Sequence, residues 1–245
     1  MAEVPRSLTA PDLVRDLFLI LARQPTKATD LLAAVINKFA DVRIVVDRPA
    51  VGMEVIWVDD ATVAGFHGIM GSSHFPPLTA WSRALWVAGG LCAERQSAVW
   101  FIEEDVATDY GSLRALKNHT SSGYPDLATL DVRSRQQTPN WPWWKKGEGL
   151  FAPENQFRSF NPLCRMSPDM LKAVLRWRRN RGHLAFHELL FPTLAKLGGL
   201  SVMDWREERE VAGLFRDFRW RPAVTRCGPG IRHPVKDPLA SKATD

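Results

Sequence analysis

Short apolar runs alternate with segments of helical periodicity along the first 110 residues of the chain. The runs are rich in β-branched and aromatic side chains, which favours buried strands, and they lie at residues 13–22, 41–46, 54–58 and 97–102. Between them, residues 31–40, which Thr29 or Asp30 can cap, and residues 79–92 carry apolar side chains at helical spacing. Strands that alternate with helices are typical of a mostly parallel sheet with right-handed crossovers. The pattern therefore predicts an α/β fold with helices flanking the sheet.

The second half of the chain is less regular. Residues 111–158 are dominated by Pro, Gly, Ser and Trp, so we expect irregular structure there, of the kind that carries binding loops. Helices are predicted at 167–178, which Ser167 can cap, and at 186–197. No internal repeat and no clear linker divides the chain, so a single compact domain over residues 1–245 is expected.

Composition limits the class of protein. Hydrophobic residues make up 45% and charged residues 24% of the chain, which suits a globular protein with a sizeable core. The net charge of +5 favours an anionic partner, which could be a nucleotide, a nucleic acid or an acidic membrane surface. Cys92, Cys164 and Cys227 are far apart and lack zinc-site spacing, so neither a disulfide framework nor structural zinc is expected.

The sequence also bears on location. The first residues lack a basic region followed by a long apolar run, so no signal peptide is expected. The longest apolar runs are shorter than the roughly 18 residues that a membrane-spanning helix needs. We therefore expect a cytoplasmic protein, and a peripheral membrane contact stays open.

Three adjacent carboxylates, Glu103, Glu104 and Asp105, follow the predicted strand at 97–102. Acidic residues close two of the other predicted strands as well, and ligands of open α/β sheets gather at the carboxyl ends of strands. Carboxylate oxygens are preferred ligands of Mg²⁺ and Mn²⁺. A solvated acidic turn is the alternative, but the buried strand before these residues favours a metal site.

Two further segments carry candidate chemistry. His233 and Lys236 lie in an extended region near the end of the sequence, where an imidazole could complete a metal site and a lysine could neutralise a phosphate. The alternative is a basic segment with a lone histidine. Glu188 lies at the start of the helix predicted at 186–197, where it could accept a proton from a substrate hydroxyl. The alternative there is a favourable charge at a helix N-terminus.

Tryptophan is unusually frequent, with ten in the chain, and Trp141, Trp143 and Trp144 form one cluster. These rings could pack in the core or under a loop. They could equally form a platform for a ring-shaped ligand, since sugars stack on indole.

Taken together and in this order, these segments resemble glycosyltransferases of the GT-A fold, which is related to the Rossmann fold. Glu103-Glu104-Asp105 stands where that fold carries its Asp-x-Asp motif, and His233-x-x-Lys236 resembles its late His-x-x-Lys motif. Residues 160–167 and 186–195 look like the acceptor-side half of a little-described group of such enzymes. The resemblance covers residues 13–237, and the Glu at position 103 departs from the commoner Asp.

The resemblance implies a donor and a cofactor. The donor would be a nucleotide-diphosphate sugar, UDP-linked, bound with Mn²⁺ or Mg²⁺, and the cation would neutralise the departing diphosphate. By this resemblance, Asp105 and His233 would hold the metal, and Glu103 would bind it through water or contact ribose. On the donor side, Lys236 would contact phosphate and Asp47 the base or ribose. Arg83 would contact a phosphate or another part of the nucleotide, and Glu104 would also contact the donor.

The resemblance also implies an acceptor side. Residues 13–110 would bind the nucleotide sugar, and residues 111–237 would bind a glycan or another hydroxyl acceptor and supply the C-terminal metal and phosphate segment. Glu188 would be the base, which would make the enzyme inverting.

Two other hypotheses remain. The first is a non-catalytic nucleotide- or carbohydrate-binding relative, which the Glu at position 103 motivates. The second is a nucleic-acid-binding protein, which the net charge and the basic run from Arg176 to Arg181 motivate. That run is short and lies at a helix end, where cations are favourable in any case, so no nucleic-acid partner is expected.

Overall fold

The computed structural model describes residues 16–50, 55–70, 78–95, 97–219 and 229–235. Its strands are β1 Leu17–Ala22, β2 Asp41–Val46, β3 Val55–Ile56, β4 Val99–Glu103, β5 Ala107–Thr108, β6 Leu127–Ser134, β7 Phe157–Met166, β8 Val202–Asp204 and β9 Ile231–Arg232. Its α-helices are α1 Lys27–Ile36, α2 Asp60–Val63, α3 Ala80–Arg95, α4 Tyr110–Gly123, α5 Pro168–Arg181 and α6 His187–Leu197.

Seven strands form one sheet in the order β3-β2-β1-β4-β7-β6-β8. Strand β7 runs antiparallel to its neighbours β4 and β6, and the other neighbouring pairs are parallel. Strands β5 and β9 form a separate antiparallel pair. The predicted α/β class and the mostly parallel sheet flanked by helices are therefore confirmed. Strands from both predicted halves of the chain share the same sheet.

Strand side chains alternate between two apolar cores, one on each face of the sheet. In β1, Leu17, Leu19 and Leu21 belong to the core that also contains residues of α3, α5 and α6. Phe18 and Ile20 belong to the other core, which contains residues of α1 and α4. Because both faces of β1 are covered, its sequence is a continuous apolar run, as expected for a central parallel strand. Among the described helices, none combines the length and the apolar character that crossing a membrane requires.

Several predicted boundaries shift. The helix predicted at 31–40 begins four residues earlier, because Thr26 caps it in a reciprocal capping box with Thr29. The strand predicted at 54–58 is reduced to β3, and β4 extends to include Glu103. Strand β2 and the helix capped by Ser167 lie where the sequence predicts them.

The prediction of irregular structure over 111–158 is wrong for its first part. Asp109 caps α4 through the backbone N–H of Ser112, and α4 buries a narrow apolar face. Strand β6 follows at Leu127–Ser134. Its pairing with β7 contains two register shifts, and these break the simple alternation of apolar and polar residues that a sequence reading relies on. Only the stretch between β6 and β7 lacks longer regular elements.

A stack of four aromatic rings fixes the region after β8 to the sheet. Phe18 stacks on Trp100 at 5.0 Å, Trp100 on Trp205 at 5.7 Å, and Trp205 on Phe215 at 5.6 Å between ring centroids. All four rings are fully buried. The indole N–H of Trp205 donates to Oγ1 of Thr120 at 2.9 Å, so its polar atom is satisfied.

We predict that Trp205→Ala destabilises the protein by about 3–5 kcal/mol, because it leaves a large cavity at the centre of this stack. Trp205→Phe retains a ring and is expected to cost clearly less. Denaturant unfolding followed by circular dichroism measures both values. Equal losses for the two variants would show that the stack contributes little.

Candidate metal and nucleotide site

A cavity of about 280 Å³ opens at the carboxyl ends of the parallel strands β1, β2 and β4. Strand β2 lies on one side of β1, and β4, which comes later in the sequence, lies on the other side. Such a switch in strand order is where open α/β sheets bind ligands. The polar and aromatic residues in its wall include Arg23, Asp47, Trp81, Glu103, Glu104 and Asp105.

Glu103, Asp105 and His233 meet at the edge of this cavity. Each offers one ligand atom, and these atoms all lie within 4.8 Å of one another. Nε2 of His233 lies 3.2 Å from Oδ1 of Asp105 and 3.9 Å from Oε2 of Glu103. The structure thus brings together residues that the sequence separates by more than half its length.

Strand pairing brings His233 to the acidic turn. Strand β9 pairs with β5, which begins two residues after Asp105, and the backbone N–H of Val235 donates to the carbonyl of Asp105 at 2.8 Å. On the other side, the backbone N–H of Arg219 donates to the carbonyl of His233 at 2.9 Å. Main-chain hydrogen bonds at His233 and at Val235 therefore fix this segment beside the acidic turn.

The imidazole of His233 is oriented for metal binding. Its Nδ1 lies 2.8 Å from the carbonyl of Arg219. A carbonyl only accepts hydrogen bonds, so Nδ1 carries the proton and Nε2 faces the carboxylates. Histidine ligands commonly donate their second N–H in this way, which fixes the tautomer and the ring. The ring also packs against Phe160 and Phe218.

Burial and neighbouring charges shift the pKa values of the acidic residues and of His233 at this edge of the cavity. Burial raises the pKa of Glu103 to about 7, and the charge of Asp105 raises this pKa by more than the hydrogen bond from Trp81 lowers it. Burial also raises the pKa of Glu104 and of Asp47. Burial opposes the charged form of His233, but the contact with Asp105 outweighs it and raises the pKa of the imidazole.

The residues present fit a divalent cation. Oδ1 of Asp105 is buried without a hydrogen bond of good geometry among the described residues, and Nε2 of His233 lies 3.2 Å from it. Nε2 of His233 points at the same place, and two carboxylates with one imidazole form a ligand set that suits Mn²⁺. A buried oxygen without a good hydrogen bond calls for an explanation, and a bound cation would supply one.

Glu104 and Asp47 lie in the cavity wall without joining the metal-ligand group. Oε2 of Glu104 accepts a hydrogen bond from the backbone N–H of Arg23 at 3.3 Å. Asp47 follows β2, and its Oδ1 is buried without a hydrogen-bond partner among the described residues. Both positions are compatible with contacts to a bound nucleotide.

Arg83 does not line the cavity. Its side chain is buried, its Nε donates to the carbonyl of Val58 at 2.8 Å, and its guanidinium pairs with Asp60. The contact with donor phosphate that the resemblance implies for Arg83 is not among these interactions. Lys236 lies outside the described residues.

Glu188 lies in the first turn of α6 and is 4% exposed. Burial raises its pKa well above the usual range, and the charge of Glu103 raises it further. Its Oε2 is buried without a hydrogen bond to any described residue. Burial thus favours the protonated form of Glu188 in the free protein. Glu188 lines neither the cavity nor the metal-ligand group.

The tryptophan cluster packs against its own loop, β7 and the start of α6. Trp144 is 3% exposed, and its indole N–H donates to the carbonyl of Thr138 at 2.6 Å. The ring of Trp141 stacks on Phe186 at 5.9 Å, and the guanidinium of Arg158 lies over it. Most of the indole surface is therefore in contact with neighbouring side chains, as in the packing alternative.

Sequence reasoning missed two residues of the cavity. Arg23 directly follows β1, just as Asp47 follows β2, so the rule that strand ends supply ligands could have identified it. Trp81 lies at the second position of α3, and its apolar character predicted only a core residue. No pattern in the sequence distinguishes it from a packing tryptophan.

Comparison with known proteins gives fold-level likeness at most. No family model and no curated protein matches the chain. Among solved structures, a 2-C-methyl-D-erythritol 4-phosphate cytidylyltransferase from Thermus thermophilus is similar at 11% identity over 76% of this chain and 85% of that chain, with a TM-score of 0.42. Mouse xyloside xylosyltransferase 1 in its apo form is similar at 13% identity over 89% of this chain and 97% of that chain, with a TM-score of 0.35. At such scores, function has to be argued from the site.

We predict that Mn²⁺ stabilises the protein against heat, by about 2.7 kcal/mol at a concentration 100 times the dissociation constant. Asp105→Ala and His233→Ala should abolish this shift, because each removes a ligand. Differential scanning fluorimetry measures it. His119→Ala is the control, because His119 belongs to a separate group with Glu208 and Glu210. If only His119→Ala lost the shift, the cation would bind at the group of His119, Glu208 and Glu210 instead.

We also predict that the metal-free protein loses stability as the pH rises. The folded-state pKa of Glu103 is about 7, above its ordinary value of 4.5, so the folded protein holds a proton that the unfolded chain has released. The stabilisation is complete below the unfolded value and is lost through about pH 7, with a total on the order of 3 kcal/mol.

Chemical unfolding in EDTA between about pH 5 and pH 8 measures this dependence. Glu103→Gln should flatten it, whereas Glu148→Gln, at an exposed glutamate, should not. An unchanged slope in Glu103→Gln would contradict the assignment.

Proposed function

We propose that the chain is a metal-dependent glycosyltransferase of the GT-A type that uses a nucleotide-diphosphate sugar. The observation that supports this most is the meeting of Glu103, Asp105 and His233 at the mouth of a cavity at the switch point of a mostly parallel sheet. The position and the chemistry of these three residues agree with the motifs on which the sequence resemblance rests.

Asp105 and His233 are the proposed metal ligands, with Glu103 as a third. Carboxylates alone suit Mg²⁺ as well as Mn²⁺, but the imidazole favours Mn²⁺. When bound, the cation supplies charge neutralisation for the departing diphosphate. The role of the protein here is to hold Oδ1 of Asp105 and Nε2 of His233 in place.

The donor nucleotide is proposed to occupy the cavity beside this group. Asp47 offers an unpaired acceptor to its base or ribose, and Arg23 adds a cation to the same wall. Glu104 would stand on the donor side, and Lys236 would contact phosphate, as the resemblance implies. For Arg83 we propose an indirect role, because its interactions fix the segment after β3 and its charge lowers the pKa of Asp47.

Glu188 is proposed as the base that activates the acceptor hydroxyl, which would give inversion. Burial favours the protonated form of Glu188 in the free protein, so it could act as a base only after its own proton had passed to solvent. A cation held by Glu103 would offset the negative charge that contributes to the raised pKa of Glu188. The acceptor is proposed to be a glycan or another hydroxyl compound that reaches the site from the side of β7 and α6.

Titration calorimetry with Mn²⁺ and a panel of nucleoside diphosphates tests the proposal. We expect UDP to bind with measurable heat, and to bind more weakly without the cation because the charge of the diphosphate is then not neutralised. Asp105→Ala should abolish it and Glu148→Ala, at an exposed acid, should not. Absence of heat with every diphosphate, under conditions where Mn²⁺ itself binds, would sink the proposal.

Turnover separates an enzyme from a non-catalytic relative. We expect slow hydrolysis of the bound donor that EDTA stops, since water can replace the acceptor. Binding without hydrolysis or transfer would favour the non-catalytic alternative. Nucleic-acid binding finds less support, because Arg178 lies over Phe66 and Arg181 over Trp177, which interrupts the basic run.

A further inference from the structure

Trp81 connects the cavity, the acidic turn and helix α6 through one buried ring. It is 3% exposed and lines the cavity at the start of α3. Its ring stacks on Phe101 of β4 at 5.3 Å and on His187 at 4.5 Å, with 24° between the planes in both cases. Because it is buried and packs against two rings, the indole has little freedom to turn, and this restricts the direction of its N–H.

That N–H donates to Oε1 of Glu103 at 2.8 Å. The other oxygen, Oε2, is the one that faces Nε2 of His233. The two oxygens of Glu103 therefore have different partners: Oε1 is engaged by the protein, and Oε2 points into the proposed cation site. Oε1 keeps a second lone pair, so the bond to Trp81 does not by itself exclude bidentate binding, but it fixes the orientation of the carboxylate with Oε2 nearest to His233.

The length of the Glu103 side chain suits this arrangement. Glu103 is the last residue of β4, and its carboxylate has to reach the indole of Trp81 and the group with Asp105 at the same time. An aspartate at this position would be shorter by one methylene and would draw the carboxylate back towards the strand. The structure thus gives a physical reason for the glutamate that departs from the Asp-x-Asp pattern.

We propose that Trp81 is a positioning residue that orients Glu103 so that Oε2 is presented to the cation. The inference rests on the proposed cation site and adds a residue that neither the sequence motifs nor the resemblance assigns. Because the same ring also stacks on His187, the neighbour of Glu188, Trp81 also connects the acidic turn to the start of α6.

The test is Trp81→Phe, which keeps an aromatic ring between Phe101 and His187 but removes the donor. We expect Mn²⁺ affinity to fall about 10-fold, the lower end of the usual loss when a partner of a metal ligand is removed. Calorimetry with Mn²⁺ alone measures the affinity, and thermal unfolding in EDTA checks that the fold persists. Trp86→Phe on the same helix, at a half-exposed tryptophan, is the matched control.

A double-mutant cycle separates positioning from a general effect on packing. In a Glu103→Ala background, Trp81→Phe should change Mn²⁺ affinity by less than about 2-fold, because the group it positions is gone. Glu103→Asp restores the Asp-x-Asp pattern and is nevertheless expected to bind Mn²⁺ more weakly than the natural chain, with no further loss on adding Trp81→Phe.

Each outcome bears on a different claim. If the natural chain does not bind Mn²⁺, the proposed function fails at its cation site. If it binds Mn²⁺ and Trp81→Phe binds equally well, or if Trp81→Phe costs the same in the Glu103→Ala background, the positioning role of Trp81 is wrong while the cation site stands.

Discussion

Electrostatic repulsion among carboxylates is the constraint on which the rest of this site depends. Glu103, Glu104 and Asp105 leave β4 in succession, and burial makes their charges more costly still. The surrounding contacts reduce that cost: His233 pairs with Asp105, the indole of Trp81 binds Glu103, and a backbone N–H binds Glu104. A cation would complete the compensation. Folding therefore offsets only part of the cost of these charges, since the pKa values of Glu103 and Glu104 stay raised, and the remaining negative charge favours a cation.

Aromatic packing connects His233, the candidate metal ligand, to the apolar core of the sheet. The ring stack that begins at Phe18 ends at Phe215, which meets Phe218 edge-on, and Phe218 packs against the imidazole of His233. A metal ligand on a short strand pair would otherwise be free to move. Packing through successive rings links its position to the centre of the sheet, which is the rigidity that metal coordination requires.

The sequence predicts the first half of the fold well, because β1, β2 and β4 are buried on both faces and appear as continuous apolar runs. It fails for β7, where Ser159, Asn161 and Arg165 are buried among apolar residues and interrupt the run. Their hydrogen-bond partners, such as the carbonyl of His187 for Asn161, come from distant segments that no local pattern reveals. The candidate metal ligands could be named from motif order, whereas Trp81 depends on a helix position that only the fold defines. The pairing of Arg83 with Asp60 is likewise invisible in the sequence, and the nucleotide contact that the resemblance implies for Arg83 stays a prediction.

The connection through β9 has a consequence for biosynthesis. A ribosome makes the acidic turn long before it makes His233, so a nascent chain presents carboxylates without their imidazole. The N-terminal part of the sheet can begin to fold at that stage, because domains fold from the N-terminus as they emerge. Competence to capture the cation would arise last, when β9 pairs with β5. A truncated or unfinished copy of this protein would then carry the acids of the site and most of the sheet, and still be unable to sequester the metal.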